Sequence, residues 1–407
     1  MRRRDLFTAA AALGLTPLLS SCGSTPQQQA VAIVPGAGPT LASGAPSGTF
    51  GALSDALATR LASGNRNLAF SPFSIGVALA MARGGAVGET GAQLDTLLRV
   101  PPERLPATVN TLWRAMAHGK AKLSGGNAVW GQQDLGWKNP FQQYLRDFGA
   151  PLQERNIAGE PDRTRLEING WVKDTTAGLI PELLPQGVIS GMTRLVLVNA
   201  LLFGASWQRP LDTIDPAPFT TRTGARVQAP MLAGGGRWRV AETGTWRGTV
   251  LPTEDPDFGL ALVLPRSPDA VVTRVANAAA FSVLAKAGLE TVELLMPSWR
   301  IDQRVDLVDV LKQLGVTLAF DPERADFSAM TDRQKLFIAF ILHQSVVKVD
   351  ESGIEAAAAT AVGVDTSSAP GLTIKVTLDR PFGWALLHLP TSTPLFTGVV
   401  ADPTRTE

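Results

Sequence analysis

Glu351-Ser352-Gly353-Ile354-Glu355-Ala356-Ala357-Ala358-Ala359-Thr360 is the stretch on which the fold turns. By composition it proposes a helix, because four alanines follow a glutamate. The residues after it do not continue one. Val362 to Gly371 is small, polar and turn-prone, and reads as an exposed loop. A strand candidate, Ile338 to Val349, leads in, and another, Leu372 to Leu378, leads out. In an extended backbone, side chains alternate between two faces. Ile354, Ala356, Ala358 and Thr360 then share one face, and Glu355, Ala357, Ala359 and Ala361 share the other. The first set is uncharged and small or β-branched, so it can enter a crowded sheet interior without stranding a charge. Glu355 can stay in solvent at the edge. The stretch is suited to be loop in one state and strand in another.

Working outward, Leu53, Leu57 and Leu61 give Phe50 to Ser63 helical spacing. Ser71-Pro72 opens a second helix through Met81, with Ser71 as N-cap, and Gly84-Gly85 stops it. Ala107 to His118, Leu166 to Asp174 and Val305 to Gly315 are further helix candidates. Leu195 to Val198, Leu260 to Leu264 and Val292 to Met296 are continuous apolar runs, as in strands buried on both faces. Trp384 to Leu389 is another strand. Helices and strands mix without βαβ alternation, which indicates an α+β fold with large antiparallel or mixed sheets.

The 407 residues are 45% hydrophobic and 18% charged, as in a soluble globular chain. The formal net charge of +1 gives no support to nucleic-acid binding. Arg114, Lys120 and Lys122 read as a solvated helix face. The single cysteine, Cys22, excludes an intramolecular disulfide. His118, His343 and His388 lack the i, i+4 spacing of a helical zinc site, so neither metal nor cofactor is expected. No Gly-x-Ser-x-Gly elbow is present, and an enzyme reading is poor.

Arg2 to Arg4 followed by the apolar run Leu6 to Leu19 fits a signal peptide; the run is too short to span a bilayer. Arg3-Arg4-Asp5-Leu6-Phe7 loosely resembles a twin-arginine export motif. Leu19-Ser20-Ser21-Cys22 resembles a bacterial lipobox, in which the cysteine is lipidated. Residues 1–21 are thus expected to be an address, and 22–48 a lipidated cysteine with a Gly, Pro and Ser tether. Residues 49–407 form the body. Gly23 after the cysteine resembles a signal for the outer membrane, so the expected location is the cell envelope or surface, through lipid on Cys22.

Glu351, Gly353, Glu355, Ala356 to Ala359 and Thr360 together resemble the hinge of the serpins, which runs Glu-x-Gly-x-Glu and then small residues. Ile354 departs from it, standing where inhibitory members usually carry Thr or Ser. Asn67 to Ile75 is similar to the family's early Asn-x-x-Phe-Ser-Pro-x-Ser-Ile motif. Gly85 to Thr90, Ile168 to Val172, Thr176 to Ile180 and Leu197 to Ala200 resemble its later blocks. Asp379-Arg380-Pro381-Phe382, Phe396-Thr397-Gly398 and Asp402-Pro403 resemble its closing signature, with Val399 in place of a basic residue.

The resemblance implies about three β-sheets, eight or nine helices and an exposed reactive-centre loop. It implies a monomeric suicide inhibitor of serine proteases. The protease forms an acyl-enzyme on the loop, which then inserts into the central sheet. Counting along the hinge as the family does puts the reactive bond at Ser367–Ser368, with bonds after Val364 or Thr366 as alternatives, and the small Ser367 suggests an elastase-like or subtilisin-like target. Ser71, Ser74, Asn199 and His343 match the family's hydrogen-bonded shutter, and Trp207 the point where the loop enters. The alternative is a non-inhibitory serpin, a binding or chaperone-like surface lipoprotein, with Ile354 the residue that leaves room for it.

Overall fold

The leucine spacing near the start becomes helix α1 (Gly51–Leu61), with Leu53 and Leu57 in the core. Strand β1 (Leu68–Phe70) precedes α2 (Pro72–Arg83). Ser71 caps α2: its Oγ accepts the Ser74 N–H at 3.0 Å, and Pro72 sits in the first turn, where its missing N–H costs nothing. There follow α3 (Gly88–Leu98), α4 (Leu105–Met116), β2 (Lys122–Gln132), α5 (Asn139–Asp147), β3 (Leu152–Arg155) and α6 (Pro161–Thr175). The next stretch is mostly strand: β4 (Leu195–Ser206), β5 (Asp212–Thr220), β6 (Arg226–Glu242), β7 (Trp246–Pro252) and β8 (Phe258–Pro265). Helices α7 (Val272–Val275) and α8 (Ala278–Lys286) lead to β9 (Leu289–Pro297), β10 (Trp299–Asp306) and α9 (Val308–Gln313). The last strands are β11 (Leu342–Val349), β12 (Gly353–Ile354), β13 (Ile374–Thr377), β14 (Phe382–His388) and β15 (Thr393–Val400).

This computed structural model describes residues 38–62, 66–354 and 373–406. The expected signal peptide, Cys22, the hinge residues Glu355 to Thr360 and the Ser367–Ser368 bond lie outside the described residues. So do tether residues 23–37.

Two hydrogen-bonded networks account for the strands described. One is six-stranded in the order β10-β11-β12-β4-β2-β3. The other is nine-stranded, β1-β15-β14-β8-β7-β6-β9-β13, with β5 also on β6. The three expected sheets merge into two because β6 is 17 residues long. Its first part pairs with β5 and β9, and its last, Arg239 to Glu242, with β7. Strands β8, β14 and β15 are buried along their whole length, as Leu260 to Leu264 predicts. One core lies between the networks; a second, with Trp130, Ile168, Val172, Val196 and Val198, lies under α6.

Tertiary pairing moves several predicted boundaries. Val305 belongs to β10, because β10 pairs with β11 over eight residues from Trp299↔Val349 to Asp306↔Leu342. Helix α9 therefore begins only at Val308. The same ladder ends β11 at Leu342, and Ile338 to Ile341 have no strand partner among the described residues. Leu195 to Val198 is not buried on both faces: Val196 and Val198 pack under α6, while Leu195 and Leu197 lie half-buried against the main core. Val292 to Met296 likewise alternates, with Glu293 exposed.

Candidate functional site

Asp350 sets the geometry where the hinge begins. Its Oδ1 accepts from the Ser352 N–H (2.9 Å), the Ser352 hydroxyl (2.6 Å) and the Gly353 N–H (3.2 Å). Its other oxygen meets the Lys348 Nζ at 2.9 Å. Burial alone would raise this carboxyl; the hydrogen bonds from Ser352 and Lys348 outweigh it and hold Asp350 below the usual carboxylate range. The result is an Asx turn that reverses the chain after β11. Trp207, 1% exposed, seals the turn: its Nε1 donates to the Asp350 carbonyl at 2.8 Å and its own N–H to the Ser352 carbonyl at 3.0 Å. Leu211 N–H donates to the Glu351 carbonyl at 2.8 Å.

The turn delivers β12 into the six-stranded sheet. Ile354 lies opposite Val349 of β11 on one side and Ala205 of β4 on the other. Gly353 lies opposite Ser206, so close that a Cβ would run into the Ala205 carbonyl. Only glycine fits there without moving β4. Ile354 points into the core at 6% exposure. Among the described residues, β12 alone joins β4 to β11.

Among the described residues, nothing fills the space between these strands below Ile354. A small cavity of about 20 Å³ is lined by Ile354, Phe203, Val347 and Ile180. Farther down, a cavity of about 140 Å³ runs between β4 and the segment leading into β11. Ser74, Asn199 and His343 all line it.

The structure brings three of the four expected shutter residues together. His343 Nε2 accepts the Ser71 N–H at 3.0 Å, and Ser71 caps α2 through the Ser74 N–H. Burial pulls the His343 pKa down to about 4, so the ring is neutral and its nitrogen is free to accept. Asn199 makes no bond to this group. Its Nδ2 donates to Asn127 Oδ1 of β2 at 2.7 Å, and its Oδ1 is buried without a partner among the described residues.

Three residues escaped the sequence reading. Asp350 carried a signal, since Asp-x-Ser-Gly is turn chemistry. Ser345, whose Oγ donates to the Ala69 carbonyl at 2.8 Å, follows His343 at strand spacing. Asn127 carried none: it meets Asn199 only through the register of β2 on β4.

A family model described as Serpin (serine protease inhibitor) matches residues 51–403. The chain is 30% identical to plasminogen activator inhibitor 1 of Neovison vison, over 84% of this chain and 88% of that one. It is 32% identical to leukocyte elastase inhibitor A of Mus musculus, over 83% and 93%. Among solved structures it matches the thermophilic serpin tengpin in the native state with a TM-score of 0.77 and 26% identity, covering 87% of this chain and 93% of that one. Arabidopsis AtSerpin1 in its native stressed conformation matches with a TM-score of 0.72 and 25% identity, covering 88% and 97%.

Proposed function

The chain belongs to the serpin family, and from that premise we propose that it inhibits a serine protease by suicide cleavage and loop insertion. The protease serine attacks the Ser367 carbonyl, the Ser368 amine leaves, and Ser367 remains as the acyl group on the enzyme. The freed segment behind the hinge then enters between β4 and β11. The observation that carries this reading is β12: Gly353 and Ile354 already occupy the first positions of a strand between those two.

Carried down in the same register, every second residue follows Ile354 to the buried face. Ala356 falls level with Phe203, Ala358 with Leu201, and Thr360 with Asn199 and His343. All three are small and uncharged, so nothing on that face opposes entry. Ile354 is already accommodated at 6% exposure, so it does not bar insertion. A small residue at Ser367 favours an elastase-like or subtilisin-like target, and the name of one relative, leukocyte elastase inhibitor A, agrees with an elastase.

Export and anchoring belong to the same proposal. The N-terminal signal and lipobox support lipid attachment at Cys22 and a place at the cell envelope or surface, where the monomeric body meets foreign or secreted proteases. Cys22→Ala should move the protein from the membrane to the soluble fraction.

The decisive experiment mixes the purified protein with elastase, subtilisin and other serine proteases and resolves the products on denaturing gels. An SDS-stable complex, with release of a peptide beginning at Ser368, is expected. Cleavage without complex for every protease would reject inhibition and leave the non-inhibitory, binding or chaperone-like alternative.

A further inference from the structure

Residues 38–48 precede the family-matched region, and they pack against the body as a strap. The Gly38 carbonyl accepts from Arg114 Nη2 at 3.0 Å and the Pro39 carbonyl from Asn110 Nδ2 at 3.0 Å. Leu41 N–H donates to Thr111 Oγ1 at 2.8 Å. Ala45 packs against the main core, and Gly48 N–H donates to the Thr391 carbonyl at 2.7 Å. A Cβ on Gly38 would run into the Asp147 carbonyl, so the approach to the end of α5 requires glycine. Asn110, Thr111 and Arg114 share a face of α4. The tether expected to run through residue 48 is, from Gly38 onward, bound to α4 and to the turn between β14 and β15.

The contacts do not stop at α4. Asn110, 1% exposed, donates through the same Nδ2 to the Asp147 carbonyl at 2.7 Å. The next carbonyl, Phe148, accepts from Nδ2 of Asn127, 3% exposed, at 3.1 Å. These carbonyls end α5 and need outside donors. Asn127 Oδ1 in turn accepts from Asn199, which lines the cavity between β4 and β11. Through Asn110, two successive carbonyls at the end of α5, Asn127 and Asn199, contacts thus lead from the strap to the cavity beside β4.

We propose that residues 38–48 act as a brake on strand insertion, coupled to β4 through Asn110, the end of α5, Asn127 and Asn199. The strap ties the α4–α5 side, which carries β2 and β4, to the β14–β15 turn of the other sheet. An inserted strand needs β4 and β11 to stand two strand spacings apart, roughly 9–10 Å, along their whole length. Undocking the strap frees that side to move and takes the Pro39 carbonyl from Asn110, the first amide of the route. The brake rests on the insertion reading above; the route to β4 does not.

The test uses the full chain with Gly38→Val, Asn127→Ala and the double variant. Hydrogen exchange at the β4 amides near Asn199 reads the route, and conversion of the intact protein to a more heat-stable form on warming reads the brake. Gly38→Val should raise exchange in β4 and speed conversion roughly tenfold, a size ordinary for coupling between sites. The double variant should be no faster than the faster single, because both changes cut one path. Unchanged β4 exchange in Gly38→Val overturns the route, and raised exchange with unchanged conversion overturns the brake. Additive effects overturn the shared path. If Gly38→Val does not fold, Thr111→Val, which removes only the acceptor for Leu41, should give the same changes a few-fold smaller; no change overturns the proposal. Failure of the inhibitory reading would show separately, in the protease gels.

Discussion

The Ser71 N–H donates to His343 Nε2, and that bond exists only while the nitrogen is unprotonated. Burial lowers the pKa from the ordinary 6.5 to about 4. An unfolded chain therefore binds a proton between those values that the folded one refuses. Stability from this group is fully present above pH 6.5 and is lost as pH falls toward 4. The difference in pKa corresponds to about 3 kcal/mol at most. Melting temperature should drop between pH 7 and 4.5, and His343→Gln, an acceptor that does not titrate, should drop less. His388 is also held down by burial, against the pull of Asp257 and Asp255, so the variant is needed to separate the two rings. Gly353 offers a second single-residue test. Gly353→Ala drives a methyl group toward the Ala205 carbonyl, which is backbone and cannot swing away. We expect a loss of about 2 kcal/mol in denaturant titrations and, in protease gels, a shift from complex toward cleaved product.

At the scale of elements, the turn from β11 into β12 decides whether the hinge points into the sheet. Asp350→Ala removes the acceptor for two N–H groups and one hydroxyl at once. The expected cost is about 1–3 kcal/mol, with faster hydrogen exchange at Gly353; unchanged exchange would show that Trp207 alone holds the turn. This turn was legible in the chain as Asp-x-Ser-Gly, just as the cap of α2 was legible in Ser71-Pro72. Both are local, fixed by side chains that bond to their own neighbours. The start of α9 and the start of β11 were not legible. Both depend on how far β10 and β11 pair, a contact between residues some 40 apart in the chain. Asn127 was hidden for the same reason, since only the β2–β4 register makes it a partner of Asn199. The shutter residues could be named from the family resemblance, but that Asn199 turns to β2 and away from His343 is a fact of the packing.

At the scale of the molecule, the described residues leave space where a close-packed sheet would leave none. The cavity of about 140 Å³ lies between β4 and the approach to β11, along the path the hinge has begun to take. The space is partly open to solvent, so the scale for closed core cavities, roughly 24 cal/mol per Å³, sets an upper figure of about 3 kcal/mol for filling it. The ladder bonds of a new strand add to that figure, since among the described residues β4 and β11 each present an edge to it. For a domain of this size 3 kcal/mol corresponds to about 4 °C in melting temperature. Space filling and ladder bonds together should therefore raise the melting temperature by several degrees once the loop is cleaved after Ser367, although a peptide bond has been lost. The comparison is made by calorimetry on intact and cleaved protein at one pH above 7, where His343 contributes equally to both. A cleaved form that melts at or below the intact temperature would mean that the segment stays outside the sheet. β12 would then be a fixed edge and not the first step of a longer strand.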